Sequence, residues 1–197
     1  VWINKALISF PSKGPVDIRT SRWARKTQLQ MGPAKVDVDD ILIVGPTDVV
    51  RNTQIRRFLS SPFEFLFLLD SDLIPKPGTL QKLLAYDLPF VSAPGITLKN
   101  NKPIVMCLDK VGKYRYRQHS PLEGLQKCDA VGSAGMLIHR DVCEKLKPPW
   151  FHTLYNEDRT KVLLGQDFHF CEKLAEAGIE VWADCDLIQI RSRCKDV

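Results

Sequence analysis

The sequence contains no apolar run approaching the roughly 20 residues that a bilayer-spanning helix requires, so no transmembrane segment is read from it. Its cysteines, Cys107, Cys128, Cys143, Cys171, Cys185 and Cys194, form no CxxC pair and no zinc-finger spacing. Several sit inside apolar patterns where a reduced cysteine packs as a small hydrophobe, and free thiols are expected. No GxxxxGK[ST], GxGxxG or GxSxG occurs, which argues against P-loop enzymes, Rossmann dehydrogenases and serine hydrolases. Internal repeats, low-complexity tracts and linker-like runs are also missing.

What is there fits one folded unit. A chain of 197 residues can bury one substantial core but not two ordinary ones, so a single domain over 1–197 is expected. Hydrophobic residues at 44% and charged residues at 26% match soluble globular proteins; the expected location is the cytoplasm, including peripheral contact with the cytoplasmic face of a membrane. The apolar start, 1–10, carries Asn4 and Lys5 and runs into Pro11, Ser12, Lys13 and Gly14; it reads as a first strand, not a signal peptide. A formal charge of +5 suits an anionic small molecule, an anionic lipid surface or nucleic acid alike, and selects none of them.

Strand-like apolar runs alternate with helix-like periodic ones, the pattern of an α/β domain. Strands are expected over 6–10, 40–44, 63–69, 88–92 and 179–183, and helices over 21–31, 48–59, a segment capped by Thr79, 141–146 and 166–177. Over 103–117 the pattern suggests a hairpin with its turn at Asp109, Lys110, Val111 and Gly112, so the sheet system is mixed. The polar stretch 155–165 reads as a lid-like loop.

The strongest chemical signal is Asp70-Ser71-Asp72, directly after the apolar segment Phe65-Leu66-Phe67-Leu68-Leu69. In an extended segment residues two apart project to one side, roughly 7 Å apart, so Asp70 and Asp72 can converge on one cation. Carboxylate oxygens suit Mg²⁺ or Mn²⁺, which also take phosphate oxygens. Ligands bind open α/β sheets at the carboxyl ends of their strands, where this pair falls. Read apart from that context, a DxD is more often a solvated turn or a helix cap.

Val50-Arg51-Asn52, Arg56 and the Phe65–Asp72 segment followed by Pro75 resemble the nucleotide-sugar half of family-2-like GT-A glycosyltransferases. The downstream half is similar too. Gly132-Ser133-Ala134-Gly135-Met136-Leu137-Ile138-His139-Arg140 resembles their glycine-bearing acceptor-side segment, and Gly165-Gln166-Asp167-Phe168-His169-Phe170-Cys171 resembles their G-[EQ]-D-x-x-F-C helix start. Together these cover about residues 6–186 in the expected order.

The resemblance implies a GT-A fold, with a Rossmann-like, mainly parallel mixed sheet, a nucleotide-sugar half over about 1–95 and an acceptor half over about 96–197. It implies transfer of a sugar, with UDP-sugars favoured, to a glycan, lipid-linked or other hydroxyl acceptor. Pro11 and Ser12 would line the base pocket, and Asn52 and Arg56 would contact base, ribose or phosphate. Asp70, Ser71 and Asp72 would hold the donor, with Asp70 and Asp72 as ligands of Mn²⁺ or Mg²⁺. Gly132, Ser133, Ala134 and Gly135 would let the backbone approach the sugar, and Gln166 would orient the acceptor.

Asp167 would be the general base, and the reaction would then invert the anomeric centre; a retaining reaction leaves it as a binding residue. Helix capping is the simpler role for such an Asp. In one respect the chain departs from the family, which often supplies a metal-binding His a few residues beyond the last strand, where Arg191 stands here. His152 and His169 are the nearest replacements. The alternation Lys113-Tyr114-Arg115-Tyr116-Arg117 suits a charged edge strand, or else an acceptor-side surface for a phosphorylated lipid, an acidic glycan or, less favoured, nucleic acid. A sugar-phosphate nucleotidyltransferase and a non-catalytic nucleotide-sugar or glycan binding module are the alternatives.

Overall fold

A computed structural model describes residues 5–10, 16–39, 45–99 and 102–191. Along the chain the elements are β1 (Ala6–Ser9), α1 (Ile18–Met31), β2 (Val36–Asp39), α2 (Thr47–Leu59), β3 (Phe65–Leu68), β4 (Leu73–Ile74) and α3 (Thr79–Ala85). There follow β5 (Phe90–Ser92), β6 (Ile96–Lys99), β7 (Lys102–Val105), β8 (Cys107–Gly112), β9 (Arg115–Gln118), β10 (Leu125–Cys128) and β11 (Ala130–Val131). The last are β12 (Met136–His139), α4 (Arg140–Lys145), β13 (Leu154–Tyr155), β14 (Val162–Leu164), α5 (Gln166–Glu176), β15 (Val181–Asp184) and β16 (Ile190–Arg191).

A seven-stranded sheet in the order β10-β15-β5-β12-β3-β1-β2 forms the frame. β1 pairs in parallel with β2 and β3, and β15 in parallel with β5, whereas β12 runs antiparallel between β3 and β5. β10 is the other reversed strand, at the edge. The fold is therefore mixed α/β with helices on both faces.

β3 shows why. Its alternate side chains serve different cores: Leu66 and Leu68 join the cluster beneath α2, α4 and α5, with Ile55, Phe58, Val142 and Phe170. Phe65, Phe67 and Leu69 join the cluster beneath α1 and α3, with Trp23, Leu80 and Leu83. A strand apolar on both faces has to be central and covered twice. Each such side chain contributes about 1.5–3 kcal/mol of burial.

Several expectations shift. α1 starts before Ser21 because Asp17 caps it, its carboxylate accepting from the Arg19 N–H at 2.8 Å. Thr79 is the first helical residue of α3 and not its cap; Gly78, at φ +77°, turns the chain there, and the Thr79 hydroxyl donates to the Lys76 carbonyl. The expected turn at 109–112 is instead the end of β8, which pairs with β9 around Lys113 and Tyr114, while β7 pairs with β6. The polar residues Asp109 and Lys110 sit inside the pairing strand and the reversal falls at Lys113 and Tyr114, so the composition signal misplaced the turn. The expected lid at 155–165 is partly ordered as the β13–β14 ribbon. The strand expected over 40–44 lies outside the described residues. α5 ends as expected, with Gly178 at φ +72°.

Candidate active site

The carboxyl end of β3 is a tight turn. The Leu73 N–H donates to the Asp70 carbonyl at 3.2 Å, so Asp70, Ser71, Asp72 and Leu73 fold back on themselves, and the extended geometry expected for Asp70 and Asp72 does not hold. The reason is α1, which braces the turn from behind: the Asp17 N–H donates to the Ser71 carbonyl at 2.9 Å and the Thr20 hydroxyl to the Leu73 carbonyl at 2.7 Å. Asp70, Ser71 and Asp72 are half-buried on this brace.

Arg51 of α2 is fully buried and its guanidinium reaches the same place. It pairs with the Asp70 carboxylate and donates to the Ser133 carbonyl at 3.1 Å and the Ser133 hydroxyl at 3.3 Å. It also donates to Gln54 Oε1 at 3.1 Å, and Gln54 Nε2 in turn donates to the Ser9 hydroxyl at 2.9 Å. A charge taken fully out of water persists only when paired and hydrogen-bonded in this way. Sequence reading passed over Arg51 in favour of its neighbours. The signal was present: Arg51 falls on the stripe of Ile55 and Phe58, and a cation on the core face of a helix needs a buried partner.

From Ser133 the network continues to α5, where Gln166 Nε2 donates to the Ser133 hydroxyl at 3.3 Å. Gln166 is buried, and its Oε1 has no hydrogen-bond partner. Next to it Asp167 is half-buried, with Oδ1 accepting from the Phe168 N–H at 3.0 Å. Burial pushes the Asp167 carboxyl above the usual carboxylate range, against the pull of the Phe168, Asp167 and Ser133 N–H groups, and the Asp70 charge pushes the same way. Asp70 and Asp167, distant in sequence, line one cleft of about 150 Å³ together with Gly95, Thr97, Gly132 and Ser133.

The remaining candidates separate. Asn52 is committed to the protein itself: Nδ2 donates to the Asp48 and Phe151 carbonyls, each at 2.7 Å, and Oδ1 accepts from the Trp150 and Phe151 N–H groups at 2.8 and 3.1 Å. Arg56 is exposed on α2. Pro11 and Ser12 lie outside the described residues.

Gly132, Ser133 and Ala134 line the cleft, whereas the need for glycine at 135 comes from packing. At φ +73°, a Cβ there would sit 2.1 Å from Gln189 Nε2 and 2.3 Å from the Ala93 carbonyl. Gln189, also unanticipated, is buried and ties the chain beyond β15 to the end of β5 by donating to that carbonyl at 2.9 Å.

His152 and His169 face one another, ring centroids 5.8 Å apart, and neither lines the cleft. Burial lowers the His169 pKa below the usual imidazole value, and Lys173 and His152 add to the effect. Arg191 stands opposite Leu73 in the β4–β16 register, one residue beyond Asp72; its side chain is outside the described residues.

Among the described residues no three His, Cys, Asp or Glu side chains gather to cage a metal ion. The donor set at β3 is two half-buried carboxylates, one of them already paired with Arg51. That set suits an ion of the Mg²⁺ kind, which characteristically takes one or two carboxylates and completes its shell with water and substrate phosphate.

No family model matches the sequence, and no curated protein matches it. Solved structures do. A197 from STIV superposes with a TM-score of 0.66 at 17% identity, covering 98% of this chain and 96% of that one. GalNAc-T7, solved with UDP, GalNAc and Mn²⁺, superposes with a TM-score of 0.56 at 8% identity, covering 95% of this chain. The chain spans 43% of GalNAc-T7. These likenesses establish the architecture as GT-A-like.

Proposed function

We propose that this chain is a metal-dependent glycosyltransferase that moves a sugar from a nucleotide-sugar donor to a hydroxyl acceptor. The observation that carries the reading is the shared cleft of Asp70 and Asp167 at the carboxyl edge of the sheet, with Ser133, bonded to Arg51, on its wall. In this reading 1–95 supplies the donor half and 96–197 the acceptor half. Asp70 and Asp72 are the residues that would hold Mn²⁺ or Mg²⁺, with Ser71 between them at the tip of the turn. Bound there, the ion supplies Lewis acidity that offsets the charge of the departing diphosphate.

Asp167 accepts the proton of the acceptor hydroxyl as its oxygen attacks the anomeric carbon and the bond to the diphosphate oxygen breaks. A carboxyl raised above its usual range is a better base than an ordinary one, which is the direction its burial provides. Attack with Asp167 as base inverts the anomeric centre. Gly132, Ser133 and Ala134 flank the sugar, and Gln166 orients the acceptor. Arg51 replaces Asn52 in the expected donor set, since it fixes the Asp70 carboxylate while Asn52 serves the 150–151 backbone.

The test is a panel of nucleotide sugars incubated with Mn²⁺ and assayed for free nucleoside diphosphate. Turnover of one donor, lost in Asp72→Ala, is expected; turnover of none, or equal turnover by the variant, contradicts the proposal.

A further inference from the structure

A second, larger cavity of about 460 Å³, a size typical of small-molecule sites, lies beside the cleft. Thr97 and Met106 line both, so the two are neighbours across these side chains. Gly165, two residues before Asp167, lies on its wall. The rest is mainly hydrocarbon and ring: Ile104, Leu108, Leu163, Leu164, and the tilted pair Tyr116 and Phe168 with centroids 4.9 Å apart.

Three of its polar side chains already have partners in the protein. The Tyr116 hydroxyl donates to Glu172 at 3.2 Å, and Gln118 Oε1 accepts from the Val105 N–H at 2.9 Å. Arg117, the charged side chain among the lining residues, lies 3.8 Å from Asp109. A sugar seated here would set much of its polar edge against the hydrocarbon and ring wall, and each polar group buried there unpaired costs about 1–3 kcal/mol. A charged ligand would find no uncompensated counter-charge. A neutral hydrocarbon meets neither penalty.

We infer that the acceptor is a neutral alcohol carried on an apolar hydrocarbon body, the body seated against Ile104, Tyr116, Leu164 and Phe168 and the hydroxyl reaching Asp167 past Thr97 and Met106. The inference rests on the transferase reading for the role of the alcohol, while the apolar site stands on its own geometry. Tyr114, 36% exposed, is at the mouth, so a charge placed there meets the ligand without disturbing the core.

The experiment titrates 1-octanol into the protein by NMR, with methyl β-glucoside as the polar comparison, in the parent, Ile104→Glu and Tyr114→Glu. Saturable octanol binding, weakened roughly tenfold or more in both variants by the introduced charge, and weaker binding of the glucoside are expected. No octanol binding, equal binding by parent and both variants, or preference for the glucoside overturns the inference. Octanol binding without turnover of any nucleotide sugar would defeat the transferase reading and leave the apolar site standing; turnover without octanol binding would do the reverse.

Discussion

Asp167 carries two opposed demands. Its place beside the first turn of α5 favours a carboxylate through the helix dipole and the Phe168 N–H, while burial and the nearby Asp70 charge favour the protonated form and prevail. A carboxyl whose folded pKa lies above its unfolded value weakens the fold once pH exceeds that unfolded value, near ~3.9 for Asp, and the full cost is present above the folded pKa. Asp167→Asn is therefore expected to unfold at a higher temperature than the parent at neutral pH, with the difference shrinking as pH falls through the raised pKa. Transfer should drop by about 10²–10⁴, the usual worth of a general base. Thermal melts at pH 7 and pH 4 check the first effect, and product formation the second; an unchanged rate removes Asp167 from catalysis.

The acidic residues were legible from their settings: Asp70 follows a strand without a polar residue, and Asp167 stands in the first turn of a helix that Gly165 opens. Asn52 was misread as a donor contact because its partners, Trp150 and Phe151, are brought to it only by tertiary structure. Nothing local in the sequence announces that pairing.

Between elements, Arg51 is the joint. One guanidinium links α2 to the turn after β3 and to the segment before β12, and Gln54 extends the link to β1. Arg51→Met keeps the length and apolar stem but removes the guanidinium that donates to the Asp70 carboxylate and the Ser133 carbonyl. Removing one partner of a buried pair costs roughly 3 kcal/mol, so the urea midpoint should fall accordingly. Arg51→Lys should also be destabilised, because a point charge cannot reproduce the fork. A midpoint unchanged in both variants would mean that the network does not hold these elements together.

β3 and α5 were read nearly to their ends, β3 because it is apolar on both faces and α5 because one face is apolar, and so was α2, because Pro46 and Ser60 bound it. The hairpins were not. In β8 and β9 the register depends on which face meets the core, and Cys107 and Leu108 bury while the rest stays at the surface, a distinction that alternation alone does not carry.

Over the whole molecule, β12 inserts antiparallel between β3 and β5 and brings the 132–135 segment beside the Asp70 turn, while α5 follows with Asp167. The sheet order that does this was not readable from sequence, because pairing across more than sixty residues is set by packing and not by local pattern (139 − 65 = 74 for His139 opposite Phe65). No helix among the described residues is long and apolar enough to cross a membrane.

The claim on which this rests is that the Asp70–Asp72 turn holds a divalent ion against a diphosphate. Calorimetric titration of nucleoside diphosphates, UDP first, with and without Mn²⁺ tests it most directly. Binding that requires Mn²⁺ in the parent and disappears in Asp72→Ala is the predicted result; binding indifferent to both the ion and the substitution, or no binding of any nucleoside diphosphate, would contradict it.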